Sequence, residues 1–281
     1  MNILIIGKDS LLGKSLAYRL RKDGHNITGT TRNDVITNRD IFFDLSTEEE
    51  NWPNWPDDID AAFIATAITK QSLCQEQPDI ARFINIDQTL KLISSLRAKN
   101  IHVVYPSTNL VLSCKNPYQP DDAPLRPIGF YGKTKAEIET SSINKEGVTI
   151  ARLPKILDGD SGLLNNWQEK LTKGIEVSAY NNLIISPISL SHAVDFLYKL
   201  IQKQPGGIWQ ISGEEELSYY QLCCKLAEFI SAPTNLVKSG VMPESIAATP
   251  IHPSLSCKKT QKALGIGNQS LSNLLKDCCQ L

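Results

Sequence analysis

A doubly wound α/β domain followed by a smaller mixed α/β lobe is predicted by three features of this 281-residue chain. Through the first half, short apolar runs rich in β-branched residues alternate with longer segments of helical period, the pattern of βαβ units around a parallel sheet. A glycine turn joins the first such strand to the first such helix. Beyond about residue 153 the alternation weakens.

Strands are expected at Asn2 to Ile6, Asn26 to Thr31, Asp40 to Phe43, Ala61 to Ala65, His102 to Tyr105 and Val148 to Arg152. Helical period runs over Leu11 to Lys22, Pro78 to Lys99 and Gly129 to Ile143. The stretch Asn51-Trp52-Pro53-Asn54-Trp55-Pro56-Asp57-Asp58 combines prolines with acidic and amide turn formers and reads as a loop. Packing is the expected role of its tryptophans, a contact surface the alternative. The tail carries helical segments at Leu163 to Thr172, Ser191 to Gln202, Tyr219 to Ile230, Lys258 to Leu264 and Ser270 to Asp277, with apolar stretches at Ile184 to Leu190 and Ile208 to Ile211. Residues 1–155 are therefore assigned to the sheet domain and 156–281 mostly to the lobe, with about 184–203 returning to the core.

Hydrophobic residues make up 41% and charged residues 21%, a globular balance. Twenty-nine basic residues against thirty acidic ones give a net charge of −1, which argues against nucleic acid as a partner. The seven cysteines lack the paired spacing of a zinc site, and His25, His102, His192 and His252 fall in no motif, so no metal is expected. The opening apolar run stops at Lys8-Asp9, and no stretch approaches the roughly twenty apolar residues of a membrane span. A soluble, cytoplasmic protein with reduced thiols is expected.

Gly7 ends the first strand and Gly13 falls at the start of the first helix, in Gly7-Lys8-Asp9-Ser10-Leu11-Leu12-Gly13. A glycine at the strand end permits a tight turn, and one in the helix permits close packing on the sheet. The exposed N–H groups of that helix start then suit a pyrophosphate, as in the Rossmann dinucleotide fold. Ser10 stands where the middle glycine would be, and can cap the helix or offer its hydroxyl to phosphate. A plain strand-to-helix turn capped by serine is the competing reading.

A ribose-reading carboxylate is expected roughly twenty residues on, at the end of the second strand. The sequence there is Thr30-Thr31-Arg32. A guanidinium flanked by hydroxyls suits a 2′-phosphate, so NADP(H) is favoured, with Lys8 adding positive charge. Asp34 keeps NAD(H) open, and a solvated surface charge is the alternative for Arg32.

Tyr131 and Lys135 stand four residues apart, on one helical face, where a cation is expected to lower the phenol's pKa for general acid–base work. Tyr18 and Lys22 share the spacing but lack company. The later pair has it, because the fifth strand runs into Pro106-Ser107-Thr108-Asn109 at its carboxyl end, where doubly wound sheets hold ligands.

Glycine turn, Ser107-Thr108 before a loop, and Tyr131-Gly132-Lys133-Thr134-Lys135 together resemble the extended short-chain dehydrogenase/reductases. More narrowly they resemble the dTDP-4-dehydrorhamnose reductase-like, sugar-nucleotide-binding branch, which is related to the NAD-dependent epimerases. The densest match runs from Ser107 through Pro117-Tyr118-Gln119-Pro120-Asp121-Asp122 to Lys135, with further likeness at Gln77-Pro78-Asp79 to Asn85, Ser186-Pro187-Ile188-Ser189 and Ile211-Ser212-Gly213.

The resemblance implies an oxidoreductase in which Tyr131 gives a proton to a substrate carbonyl oxygen while NADPH supplies hydride. Lys135 would hold the nicotinamide ribose and Thr108 would orient the carbonyl. It implies cofactor contacts from Gly7, Lys8, Ser10, Leu11, Leu12, Gly13, Thr31 and Arg32, and from Asp44 and Leu45 at the adenine. Ala65, Thr66, Ala67, Asn85, Ser107 and Pro154 complete that implied set; for Arg152 or Lys155 contact with a sugar-nucleotide phosphate and ordinary packing at the strand end are the two readings. Asn109-Leu110 stands where the reductases show Asp-Tyr, and Cys74-Gln75 where Cys-Glu is expected. The functions implied are a reductase of a nucleotide-sugar keto group, a nucleotide-sugar epimerase or dehydratase, and a non-catalytic NADP-binding regulatory subunit. A homodimer through the helix carrying Tyr131 is also allowed.

Overall fold

The computed structural model describes residues 1–33, 40–159, 162–243 and 250–279. Asp34, which kept NAD(H) open on the sequence, lies outside the described residues. In chain order the first elements are β1 (Asn2–Ile6), α1 (Leu11–Lys22), β2 (Asn26–Thr31), β3 (Asp40–Phe42) and β4 (Ala61–Ile64). Then come α2 (Gln71–Glu76), α3 (Pro78–Arg82), a π-helical stretch over Phe83–Gln88, α4 (Thr89–Ala98), β5 (His102–Thr108), α5 (Gly129–Ser142) and β6 (Val148–Leu153).

The chain continues with β7 (Ile156–Leu157), α6 (Leu163–Thr172), β8 (Val177–Tyr180), β9 (Ile184–Ile185), β10 (Ile188–Ser189), α7 (Leu190–Lys203) and β11 (Gly207–Gln210). It closes with β12 (Leu217–Ser218), α8 (Tyr219–Phe229), β13 (Val237–Gly240), α9 (Lys258–Leu264) and α10 (Leu271–Cys278).

Seven strands form one sheet in the order β11-β6-β5-β4-β1-β2-β3, a doubly wound arrangement in which the winding reverses between β1 and β4. The pairs β1–β2, β1–β4, β2–β3 and β4–β5 are parallel, with Ile3 opposite Ile27 on one side and Ala61 on the other. All four residues of β4 are buried, as expected of a strand covered on both faces. Leu4, Ile6, Ala62, Ile64, Val103 and Tyr105 feed one core with Leu92, Leu96 and Ile138 from the helices. Trp52 and Trp55 pack edge-on against Phe43, and their indole N–H groups donate to Thr47 O at 3.1 Å and Ser95 Oγ at 3.0 Å.

The expected continuous helix from Pro78 to Lys99 is broken by the π-helical stretch. There Thr89 Oγ1 donates to the carbonyl of Ile84 at 2.9 Å, a bond from side chain to backbone across the wide turn.

Two compact units divide the chain: Met1–Val111, Gly129–Arg152 and Val194–Trp209 form the first, and Leu112–Ile128, Leu153–Ala193 and Gln210–Leu281 the second. The division differs from the expected one at two places. Residues 112–128 join the second unit, where Tyr118 N and Gln119 N donate to Ser254, and His252 N to Cys114 O. The segment returning to the first unit is Val194–Trp209 instead of about 184–203. Within the second unit β7 pairs with β10, β9 with β12 and β8 with β13, around a core that includes Leu164, Trp167, Leu171, Leu222 and Leu226.

Candidate active site

In the first unit the carboxyl ends of β1, β2, β4 and β5 carry Gly7, Thr31, Ala65 and Thr108 respectively. Gly7 has φ +80°, and a Cβ there would meet Thr66 Cγ2 at 2.6 Å. At Gly13 a Cβ would meet the carbonyl of Gly7 at 2.5 Å. Both glycines are therefore required by the turn. Ser10 adopts the extended conformation of a helix cap, and its Oγ accepts from Gly13 N at 3.1 Å. That leaves the N–H groups of Leu11 and Leu12 at the helix start, and Leu11 is 50% exposed.

This turn fits a dinucleotide phosphate. The closest approach of its backbone would be filled by any side chain at Gly7 or Gly13, and the buried Thr66 Oγ1 beside Gly7 has no hydrogen-bond partner among the described residues. Asn85 acts on the same wall from behind. Its Oδ1 accepts from Ile68 N at 2.8 Å and its Nδ2 donates to Ile68 O at 2.9 Å, which fixes the exit of Ala65-Thr66-Ala67. The amide expected among the cofactor contacts is thus held by main chain.

At the end of β2 the structure corrects the expected charge. The ammonium of Lys8 is paired with Asp40, whose side chain is 4% exposed, so it is not a second free cation beside Arg32. Asp44 is partly buried, which works against its charge, yet hydrogen bonds from Ser46 and the nearby Arg32 hold its carboxyl below the ordinary range. Leu45 is buried behind it. The sequence reading missed one group: Asp9, within the glycine turn, accepts from the Thr31 hydroxyl and from Asn33 Nδ2 at 3.3 Å. On the sequence, a ribose-reading acid is expected only after β2. The signal was the acidic residue two places after Gly7.

Tyr131 and Lys135 lie on α5, which approaches the β5 exit so closely that a Cβ on Gly132 would meet the Leu110 carbonyl at 2.5 Å. Lys135 Nζ lies 5.9 Å from the centre of the Tyr131 ring, but donates to Tyr105 Oη and to the Pro106 carbonyl, each at 2.9 Å. Burial drives its pKa down to about 7 against the opposing influence of Glu139 and Cys74. The expectation that Lys135 lowers the tyrosine pKa is corrected here: burial pushes the Tyr131 phenol up, with the Cys74 thiol adding to the shift. The physical reason is that desolvation penalises a phenolate while the ammonium is directed at Tyr105.

Thr108 Oγ1 donates to Asn109 Oδ1 at 3.2 Å and accepts from Leu110 N at 3.3 Å. Ser107 Oγ donates to Glu139 Oε1 at 2.5 Å, and Glu139 is gripped by Arg152 at 2.7–3.1 Å. Arg152, expected as one of the candidates for a sugar-nucleotide phosphate, is instead a buried partner of a buried carboxylate. Pro154 and the exposed Lys155 belong to the second unit. Among the described residues no group of His, Cys, Asp and Glu could hold a metal ion, and no helix is long and apolar enough to cross a membrane.

The description "RmlD substrate binding domain" names a family whose model matches residues 1–281. The chain belongs to this family. Its similarity to individual proteins is lower. It is 24% identical over 222 residues to methionine adenosyltransferase 2 subunit beta of Xenopus tropicalis, and 23% identical over 225 residues to that of Bos taurus. In each case the match covers 72% of this chain and 64% of the relative, so less than two-thirds of those relatives' length is spanned.

Solved structures share the fold of this RmlD-family chain throughout. A dTDP-4-dehydrorhamnose reductase from Bacillus anthracis, in complex with NADP, superposes with a TM-score of 0.82 at 18% identity, covering 98% of this chain and 97% of that one. A hypothetical dTDP-4-dehydrorhamnose reductase from Sulfolobus tokodaii gives 0.79 at 23%, covering 97% and 98%. MoeE5 in complex with UDP-glucose and NAD gives 0.78 at 18%, covering 98% of each.

Proposed function

We propose that this RmlD-family chain is a cytoplasmic NAD(P)-dependent reductase that adds hydride to a keto group of a nucleotide sugar or a similar carbonyl, with Tyr131 as the proton donor. The observation that carries it is the pair of half-buried Tyr131 and buried Lys135 on α5, a helix that packs at Gly132 against Leu110, two residues past Thr108, in the same unit as the glycine turn. Gly7, Leu11, Leu12 and Thr66 would hold the dinucleotide, whose nicotinamide supplies hydride when bound. Burial keeps the Tyr131 phenol protonated at neutral pH, so Tyr131 acts as a general acid toward a developing alkoxide. The carbon gains hydride, the oxygen gains the phenolic proton, and solvent restores that proton.

A second reading, a dinucleotide-binding subunit of another enzyme, is favoured by the relatives named as a subunit of methionine adenosyltransferase 2 and by Asn109-Leu110 at the β5 exit. Fluorescence titration with NADH and NADPH, followed by dinucleotide oxidation over a panel of keto nucleotide sugars, separates the two. A reductase binds dinucleotide and turns over, and Tyr131→Phe keeps its binding while losing roughly 100-fold or more in kcat. Binding with no turnover across the panel supports the subunit reading. An epimerase or dehydratase would convert substrate with no net oxidation of the dinucleotide. Wild-type protein that binds neither dinucleotide overturns the cofactor assignment.

A further inference from the structure

We infer that Asp9 is the carboxylate that reads the adenosine ribose, and that it sets this site for the free 2′-hydroxyl of NAD(H) against the 2′-phosphate of NADP(H). This rests on the dinucleotide reading above and adds which dinucleotide the site takes.

Doubly wound folds commonly place an acid at the carboxyl end of β2, where it accepts from the ribose hydroxyls. Here that strand ends in Thr31-Arg32, without an acid. The structure nevertheless brings one there from the glycine turn. One oxygen of Asp9 is held by the Thr31 hydroxyl and by Asn33 Nδ2, so the side chain is fixed against the end of β2. Its other oxygen has no hydrogen-bond partner among the described residues, and Asp9 is exposed. A carboxylate oriented by two donors, with a second oxygen open to solvent, is an acceptor ready for a hydroxyl.

The surrounding charges act in the same direction. Lys8 is closed on Asp40, whose side chain is 4% exposed, and the charge of Arg32 acts on Asp44, helping to hold its carboxyl below the ordinary range. Among the described residues Lys8 is engaged by a carboxylate other than Asp9, and the hydrogen bonds to Asp9 come from uncharged donors. A 2′-phosphate would bring roughly two further negative charges to that position, whereas a hydroxyl brings none and donates to the carboxylate. The guanidinium of Arg32, which on the sequence favours NADP(H), is answered by an acid that sequence spacing places elsewhere.

Equilibrium titration of the full chain with NADH and NADPH, read by quenching of tryptophan fluorescence and by calorimetry, tests this without reference to turnover. Wild type is expected to bind NADH at least about tenfold tighter than NADPH, a difference that narrows as salt screens the repulsion. Asp9→Asn keeps an oxygen for Thr31 and Asn33 but no charge, and should tighten NADPH and weaken NADH, closing the gap. Asp9→Ser provides a second uncharged variant, and thermal unfolding reports whether each still folds. Preference of wild type for NADPH, or an unchanged ratio in folded Asp9→Asn and Asp9→Ser, overturns the assignment to Asp9 while leaving the dinucleotide reading intact. Failure to bind either nucleotide overturns both.

Discussion

The ammonium of Lys135 donates to Tyr105 Oη and Pro106 O and lies 4.3 Å from the centre of the Tyr105 ring, deep beside the β5 exit. Burial lowers its pKa to about 7 from the ordinary 10.5. An unfolded chain therefore holds this proton between pH about 7 and 10.5 while the folded chain has released it. The contribution of Lys135 to stability therefore rises with pH across that window by up to ~1.4 kcal/mol per unit. Below pH about 7 both states are charged and the contribution is flat. The Lys135→Met variant lacks this group. Urea unfolding of wild type and variant at several pH values should show the difference between them shifting in favour of wild type from neutral to alkaline pH. A difference that does not move with pH would mean the ammonium is fully stabilised where it lies. Shared titrations of the many thiols and phenols cancel in the comparison, to the extent that they do not contact Lys135.

At the scale of elements, the β1 turn into α1 is the most constrained piece of the first unit. Gly13→Val would drive side-chain carbon into the Gly7 carbonyl and against Ser10 Oγ, which a Cβ alone already approaches at 2.5 and 2.9 Å. The helix must back away, so the variant should lose ~1–3 kcal/mol of stability and its dinucleotide affinity together. Calorimetric titration beside thermal unfolding checks both. Retained affinity would show that the turn does not hold phosphate.

This element was legible in the sequence because each local signal agreed: the apolar run of β1, the Ser10 cap and the helical period through Lys22 give the bounds the structure has. The break over Phe83–Gln88 was not, because apolar spacing does not register one inserted residue in a helix. Asp9 was missed because its role depends on where β2 ends in space. Arg152, a candidate for a sugar-nucleotide phosphate or for packing at the strand end, is paired with Glu139 in the core, a partner that spacing does not reveal. Tyr131, Lys135 and Thr108 could be named from spacing. That Lys135 turns to Tyr105 depends on packing, which no spacing records.

The Glu139–Arg152 pair acts at the scale of the whole first unit, because it ties β5, α5 and β6 through one set of hydrogen bonds. Both side chains are 1% exposed, and Ser107 adds a third donor to the same carboxylate. Removing two charges from water costs several kcal/mol each, so the pair is stable only while both members and their hydrogen bonds are present. Glu139→Leu takes the carboxylate away from a buried guanidinium and should cost ~3–5 kcal/mol, enough to unfold a marginal domain. The double variant Glu139→Leu/Arg152→Met replaces both ions by apolar groups of similar length and should recover most of that loss. The cycle of single and double variants, followed by chemical denaturation, measures the coupling between them. A double variant no more stable than Glu139→Leu would show that the site needs the charges themselves. Recovery of stability without recovery of dinucleotide oxidation would assign the pair a second task, that of holding Ser107 and the neighbouring Thr108 in place at the end of β5.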